Sequence, residues 1–148
     1  MSRLLKTLML GVSASILLAQ SAISQNSRVV TAAQVNGIYR YAGNEFRVFA
    51  LGHNKLKVQF DGSHPTLRKS VNLGFASGHA TIEGNVAIFL PEDTQGCKIT
   101  MTFQPGKLVV KQDGDDFTCG FGHNVYSDGI YRKVRGGKPK FENTLESR

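Results

Sequence analysis

The stretch Cys119-Gly-Phe-Gly-His-Asn-Val-Tyr-Ser-Asp-Gly-Ile-Tyr-Arg132 decides how this chain is read. It contains one of the two cysteines, and its last four residues, Gly129-Ile-Tyr-Arg132, repeat Gly37-Ile-Tyr-Arg40. An Asx residue stands before each copy, Asn36 and Asp128. Asx-Gly marks a turn, and β-branched and aromatic residues after it mark a strand. Twin strands at the two ends of one domain are expected to lie side by side, as the first and last strands of an up-and-down barrel must. Equivalent placement at that seam puts the two tyrosines near one rim.

Between the copies the apolar residues alternate and turn signals recur about every ten residues. Phe46, Val48 and Ala50 form one inward series, Leu56, Val58 and Phe60 a second, and Ile99, Met101 and Phe103 a third. Gly52-His-Asn54 reads as a tight turn because Gly and Asn tolerate positive φ. Gly74–Ile82 reads as a strand with a bend or bulge at Gly78. Val86–Leu90 is continuously apolar, either buried on both faces or with Val86, Ile88 and Leu90 inward. Lys107–Lys111 returns the chain, Phe117–Phe121 reads as a short strand, and Ser63–Leu73 as the longest irregular stretch. No window after the N-terminal segment has a helical period. The expected fold is all-β: an antiparallel meander of about eight strands closed into a small barrel, because closure removes the open edges.

The first residues read differently. Met1–Lys6 is short and basic, Thr7–Ala19 is apolar but too short to span a bilayer, and Ala22-Ile-Ser24 offers small residues to a signal peptidase. The expected organisation is a signal peptide over 1–24, a flexible leader over 25–35, the barrel over 36–134 and a basic tail over 135–148. Cleavage leaves 124 residues (148 minus 24) and, with Arg3 and Lys6 removed, lowers the net charge from +7 to +5. The remaining cations are dispersed, which favours anionic envelope components or acidic proteins. Neither nucleic acid nor integral membrane insertion is expected. Two cysteines in an exported domain pair by default, so Cys97 and Cys119 are expected to form a disulfide.

Residues that could carry chemistry are sparse. His53, His64, His79 and His123 lack ligand spacing, and Asp113-Gly-Asp-Asp116 lacks the spacing of a calcium loop. No metal or cofactor is expected; His79 or His123 would be the first choice for a ligand. Glu45, Glu83 and Glu92 fall at turns, and no nucleophile motif is present, so the chain reads as non-catalytic.

Gly78-His-Ala-Thr-Ile-Glu-Gly-Asn85, Cys97-Lys-Ile-Thr-Met-Thr-Phe103 and the closing Cys119-Gly-Phe-Gly with Asp128-Gly-Ile-Tyr-Arg-Lys133 resemble small exported bacterial β-proteins in or near lysozyme-inhibitor-like families. The resemblance covers about 36–134. It implies a disulfide-containing barrel that pushes a Ser-Gly-x-x-Tyr loop at the two catalytic carboxylates of a lysozyme, where a hydroxyl and a lysine can bond them. Here Ser127-Asp-Gly-Ile-Tyr131 carries one inserted residue, and Ser77-Gly78 is followed by Thr81 where tyrosine belongs. The resemblance thus assigns partner contact to Tyr126, Ser127, Tyr131 and Lys133. Loop composition adds His64, Arg68 and Lys69, since binding groups gather on loops of rigid scaffolds. The expected function is an exported binding protein of the bacterial envelope, periplasmic or secreted, with inhibition of lysozyme or another cell-wall hydrolase as its specific form. A lipocalin-like barrel holding a small or anionic-lipid ligand is the alternative.

The mature chain is expected to begin at Gln25. The intact mass of exported protein checks this; a mass that retains residues 1–24 would refute it.

Overall fold

The computed structural model describes residues 29–142. The signal peptide expected over 1–24, the start of the leader and the last residues of the tail lie outside them. A turn of helix, α1 (Ala32–Val35), precedes eight strands: β1 (Gly37–Tyr41), β2 (Asn44–Gly52), β3 (Lys55–Pro65), β4 (Val71–Glu83), β5 (Val86–Phe89), β6 (Lys98–Gln104), β7 (Lys107–Asp113) and β8 (Gly129–Gly136). Each pairs antiparallel with the next, and β8 pairs with β1, so the sheet is a closed barrel. Among the described residues no helix is long and apolar enough to cross a membrane.

Strand alternation sets the core. Phe46, Val48, Leu56, Val58, Phe60, Ile99, Met101 and Phe103 all point inward and are buried. Ring centroids lie 4.8 Å apart for Phe46 and Phe60, 5.0 Å for Phe46 and Tyr131, and 5.0 Å for Phe60 and Phe121. Each such side chain contributes about 1.5–3 kcal/mol on leaving water. Between β2 and β3, His53 and Asn54 both adopt positive φ (50° and 58°), the conformation that matches the twist of a two-residue hairpin.

The repeated tetrapeptide builds one device twice. At each copy the Asx side chain accepts a backbone N–H from a neighbouring strand: Asn36 Oδ1 from Ala50 at 2.7 Å, Asp128 Oδ1 from Gln112 at 3.0 Å. The glycine that follows takes φ of +150° or +152°, a region closed to residues with a Cβ. The tyrosine turns inward and donates to the carbonyl four residues back, Tyr39 to Val35 at 2.8 Å and Tyr131 to Ser127 at 2.9 Å. Because β1 and β8 are antiparallel, with Arg40 opposite Arg132, these corners close opposite ends of the barrel. The expectation of two tyrosines near one rim is corrected by that strand direction.

Other expectations change for local reasons. The Ser63–Leu73 stretch is mostly strand: β3 and β4 stay paired out to Pro65 opposite Val71. The ladder runs in register past Gly78, with no bulge there. In β5 the inward residues are Ala87 and Phe89, set by pairing with Met101 and Ile99, so Val86, Ile88 and Leu90 face out. Residues 117–121 form turns instead of a strand, because Asp115 and Asp116 accept backbone N–H groups from Thr118, Phe117 and Asn124. The described part of the leader holds α1, which has a capping box from Thr31 and Gln34 and a buried Val35. Residues 135 and 136, assigned to the tail, complete β8. Beyond them the chain lies along β2 and β3, where the Gln59 amide exchanges two hydrogen bonds with the Glu142 backbone.

Cys97 and Cys119 are bonded, with Cα atoms 4.8 Å apart. The bridge ties the loop between β7 and β8 to the start of β6. Its separation of 22 residues corresponds to roughly 3 kcal/mol by loop entropy. A disulfide also indicates an oxidising compartment outside the cytoplasm.

Tyr39→Phe and Tyr131→Phe each leave a buried carbonyl without its donor. Each is expected to cost about 1–3 kcal/mol by denaturant unfolding. A loss at one position and none at the other would show that the two corners are not equivalent.

Candidate functional site

The β3–β4 hairpin is longer than the barrel needs. Beyond Asp61 opposite Glu45, β3 has no further partner in β2, and β4 meets β5 only from Ala80 onward. The intervening arm therefore projects from the end closed by Tyr131. Its turn is ordered by Thr66 N–H to Ser70 O at 2.8 Å, Lys69 N–H to Thr66 O at 3.2 Å and a 2.6 Å bond between the Thr66 and Ser70 hydroxyls.

The base of the arm is held on both sides. Asn44 Oδ1 accepts the Ser63 N–H at 3.0 Å, while its Nδ2 donates to the Tyr126 carbonyl at 2.9 Å. Asn72 Nδ2 donates to the His123 carbonyl at 2.7 Å, and the Gly122 N–H to that of Leu73 at 2.9 Å. Gly62 and Gly74 pair directly across the strands, and a Cβ on either would press on Val125, at 2.8 and 2.7 Å. This glycine pair lets the loop bearing Phe121 and Val125 lie flat against the arm and plug the barrel end.

The two segments expected to bind a partner thus meet at one end of the molecule. His64, Arg68 and Lys69 are exposed on the arm, and Tyr126 is exposed at its base. The remaining three residues are placed differently. Ser127 is wholly buried, and its N–H and hydroxyl both donate to Gln112 Oε1 at 2.8 and 2.9 Å. Tyr131 is a barrel-corner residue whose hydroxyl is committed to Ser127; burial pushes its ionisation well above the ordinary phenol range. Lys133 donates to the carbonyls of Ala33 and Gln34 at the far end of the barrel, and desolvation lowers its pKa. Asp128 accepts the Gln112 N–H at 3.0 Å, and Gly129 after it begins β8, so this segment runs directly into the sheet.

The sequence reading missed the arm's apolar residues. Leu67 at the tip is fully exposed, and Val71 and Leu73 are 54% and 70% exposed. Their signal was an apolar residue within a Pro, Ser and cation-rich turn, where no buried face calls for one. His79 lies 3.7 Å from Glu92 and His123 3.5 Å from Asp116; among the described residues no cluster of metal-ligating side chains forms.

Beside the arm lies an open groove of about 450 Å³, lined by Glu45, Arg47, Asp61 and Glu142 among others. Arg47 reaches Glu45 at 2.7 Å, Glu142 at 3.0 Å and Asp61 at 3.3 Å. The second Glu45 oxygen is taken by Arg40 at 2.6 Å. Both oxygens of Glu45 are thus engaged by arginines. Asp61 Oδ2 is buried without a hydrogen-bond donor. Burial raises the Asp61 pKa, Arg47 opposes the rise, and Glu142 and Glu45 add to it.

The fold and this end together define a small disulfide-pinned barrel with an aromatic-rich interior and a braced, projecting hairpin. No protein-family model, curated protein or solved structure matches the chain.

Because its folded pKa lies above 3.8, Asp61 holds a proton more tightly in the folded state than in the unfolded one. Its ionisation therefore costs stability, and the cost appears as pH rises from about 4 through the folded value. Asp61→Asn is expected to melt higher than wild type near pH 7 and equally near pH 3. Thermal unfolding at the two pH values checks this, and a lower melting point near pH 7 would contradict it.

Proposed function

We propose that the protein is an exported, non-catalytic binding protein of the bacterial envelope that inserts the tip of its β3–β4 hairpin into the cleft of a cell-wall hydrolase, with lysozymes as the specific targets. The observation that carries this reading is Leu67, fully exposed at the tip of a braced arm and followed by Arg68 and Lys69. An apolar tip fills a cleft, while the two cations can pair with catalytic carboxylates by charge-assisted hydrogen bonds. Because the arm is held in shape before binding, little ordering entropy opposes association. Tyr126, exposed at its base, supplies an aromatic contact at the cleft mouth.

Three further points support it. The disulfide fits an oxidising compartment, in agreement with the export signal expected over residues 1–24. The barrel interior is occupied by Tyr39, Phe46, Phe60, Phe89 and Tyr131, which favours binding on the surface over carriage of a small ligand within. The resemblance to lysozyme-inhibitor-like proteins points to the same class of partner, although by a different segment. The net charge of +5 expected for the mature chain opposes encounter with a cationic hydrolase and favours one with an acidic surface.

Inhibition of c-, g- and i-type lysozymes by the folded protein tests the reading. Leu67→Ser and the Arg68→Ala/Lys69→Ala pair are each expected to weaken inhibition by about tenfold or more, the scale of an interface hot spot. Both changes lie on exposed residues and should leave melting nearly unchanged. Absence of inhibition of every type by wild type would remove the hydrolase reading, and inhibition unaffected by either change would move the site off the arm.

A further inference from the structure

The outer face of β5–β8 breaks the usual rule of polar residues toward water. One cross-strand row runs Val86, Thr102, Val109 and Ile130, all facing out and without a charge among them. Ile130 is 60% exposed. Two residues further along each strand, a second row runs Lys107, Arg132 and Arg40 across β7, β8 and β1. Neighbouring strands are about 4.8 Å apart, and like charges directly opposite one another destabilise a sheet. Arg40 is compensated by Glu45, but Lys107 and Arg132 have no acidic partner among the described residues. Arg135 adds a further exposed cation on β8.

We infer that this face docks on a bilayer containing anionic phospholipid, with the Val86–Ile130 row against the acyl boundary and Lys107, Arg132 and Arg40 at the headgroup phosphates. The occupant follows from the pairing of the two rows. A soluble polyanion needs the cations but offers nothing to the apolar row. A lipid surface satisfies both, since interfacial binding combines buried apolar area with attraction to anionic headgroups. A second copy of a mature chain with net charge +5 is repelled by that charge. The face lies on the side wall of the barrel, apart from the hairpin tip, so docking leaves Leu67 free.

The chain contains no tryptophan, so one introduced residue reports on one place. Ile130→Trp is expected to shift its emission to the blue with vesicles of phosphatidylglycerol and phosphatidylcholine. It should not shift with phosphatidylcholine alone, and added salt should reverse the shift. Leu67→Trp should stay unshifted with both. Adding Lys107→Glu and Arg132→Glu to the Ile130→Trp protein should lower vesicle partitioning by more than tenfold, at about 1 kcal/mol per basic residue near the surface. Val86→Trp, in the same apolar row, replaces the reporter if Ile130→Trp fails to fold. No shift at either position overturns the inference, as does an equal shift with uncharged vesicles or partitioning that survives the charge reversal. Arg132-dependent binding of soluble polyphosphate in the absence of vesicle binding, or a shift caused by self-association in sedimentation, overturns it too.

Discussion

The pairing of β1 with β8 is the constraint on which everything else in this molecule depends. A sheet of eight antiparallel strands has two edges unless its ends meet. Here they meet through two copies of one local device. Each Asx caps a neighbouring strand, each glycine admits a backbone turn that a side chain would forbid, and each tyrosine bolts its own strand to the chain four residues earlier. Because the strands run in opposite directions, one tetrapeptide serves both ends of the barrel. The aromatic interior then fills the space that closure creates, and the disulfide holds the loop that plugs one opening.

Much of the barrel was legible because alternation reports directly on a half-buried strand. Leu56, Val58 and Phe60 could face only one way, and so could Ile99, Met101 and Phe103. The eight-strand closure and the Cys97–Cys119 bond followed from the repeated tetrapeptide and the cysteine count. Where alternation was absent, orientation came from elsewhere. Val86–Leu90 is apolar at every position, so only pairing with Met101 and Ile99 decides that Ala87 and Phe89 point in. The arm has no inner face along its outer half, so its strands carry no pattern to read. At Phe117–Phe121 the deciding atoms were the Asp115 and Asp116 carboxylates, which bond the local backbone before a ladder can.

The candidate site was legible by region and less so by residue. Loop composition pointed to His64, Arg68 and Lys69 and the resemblance to Tyr126, and all four are exposed at one end of the barrel. A hydroxyl's direction is a tertiary fact: Ser127 and Tyr131 look like recognition groups in sequence but spend their hydrogen bonds inside. Asp61-Gly62 reads as the end of a strand, yet Gly62 faces Gly74 so that the strand can continue past Val125. That pair turns an ordinary hairpin into a projecting arm, and no local propensity reveals it.

A seam that joins Gly37 to Gly136 also orders events in time. A chain emerging from its N-terminus makes β1 first and its partner last, so the sheet stays open until nearly all of the domain is available. Until then both β1 and β7 present unpaired edges, and the closing contacts have the highest sequence separation in the fold, which slows their formation. A fragment ending before Gly129 lacks the second corner altogether. Without β8, the edges of β1 and β7 that it joins both stay open, and the sheet is left unclosed.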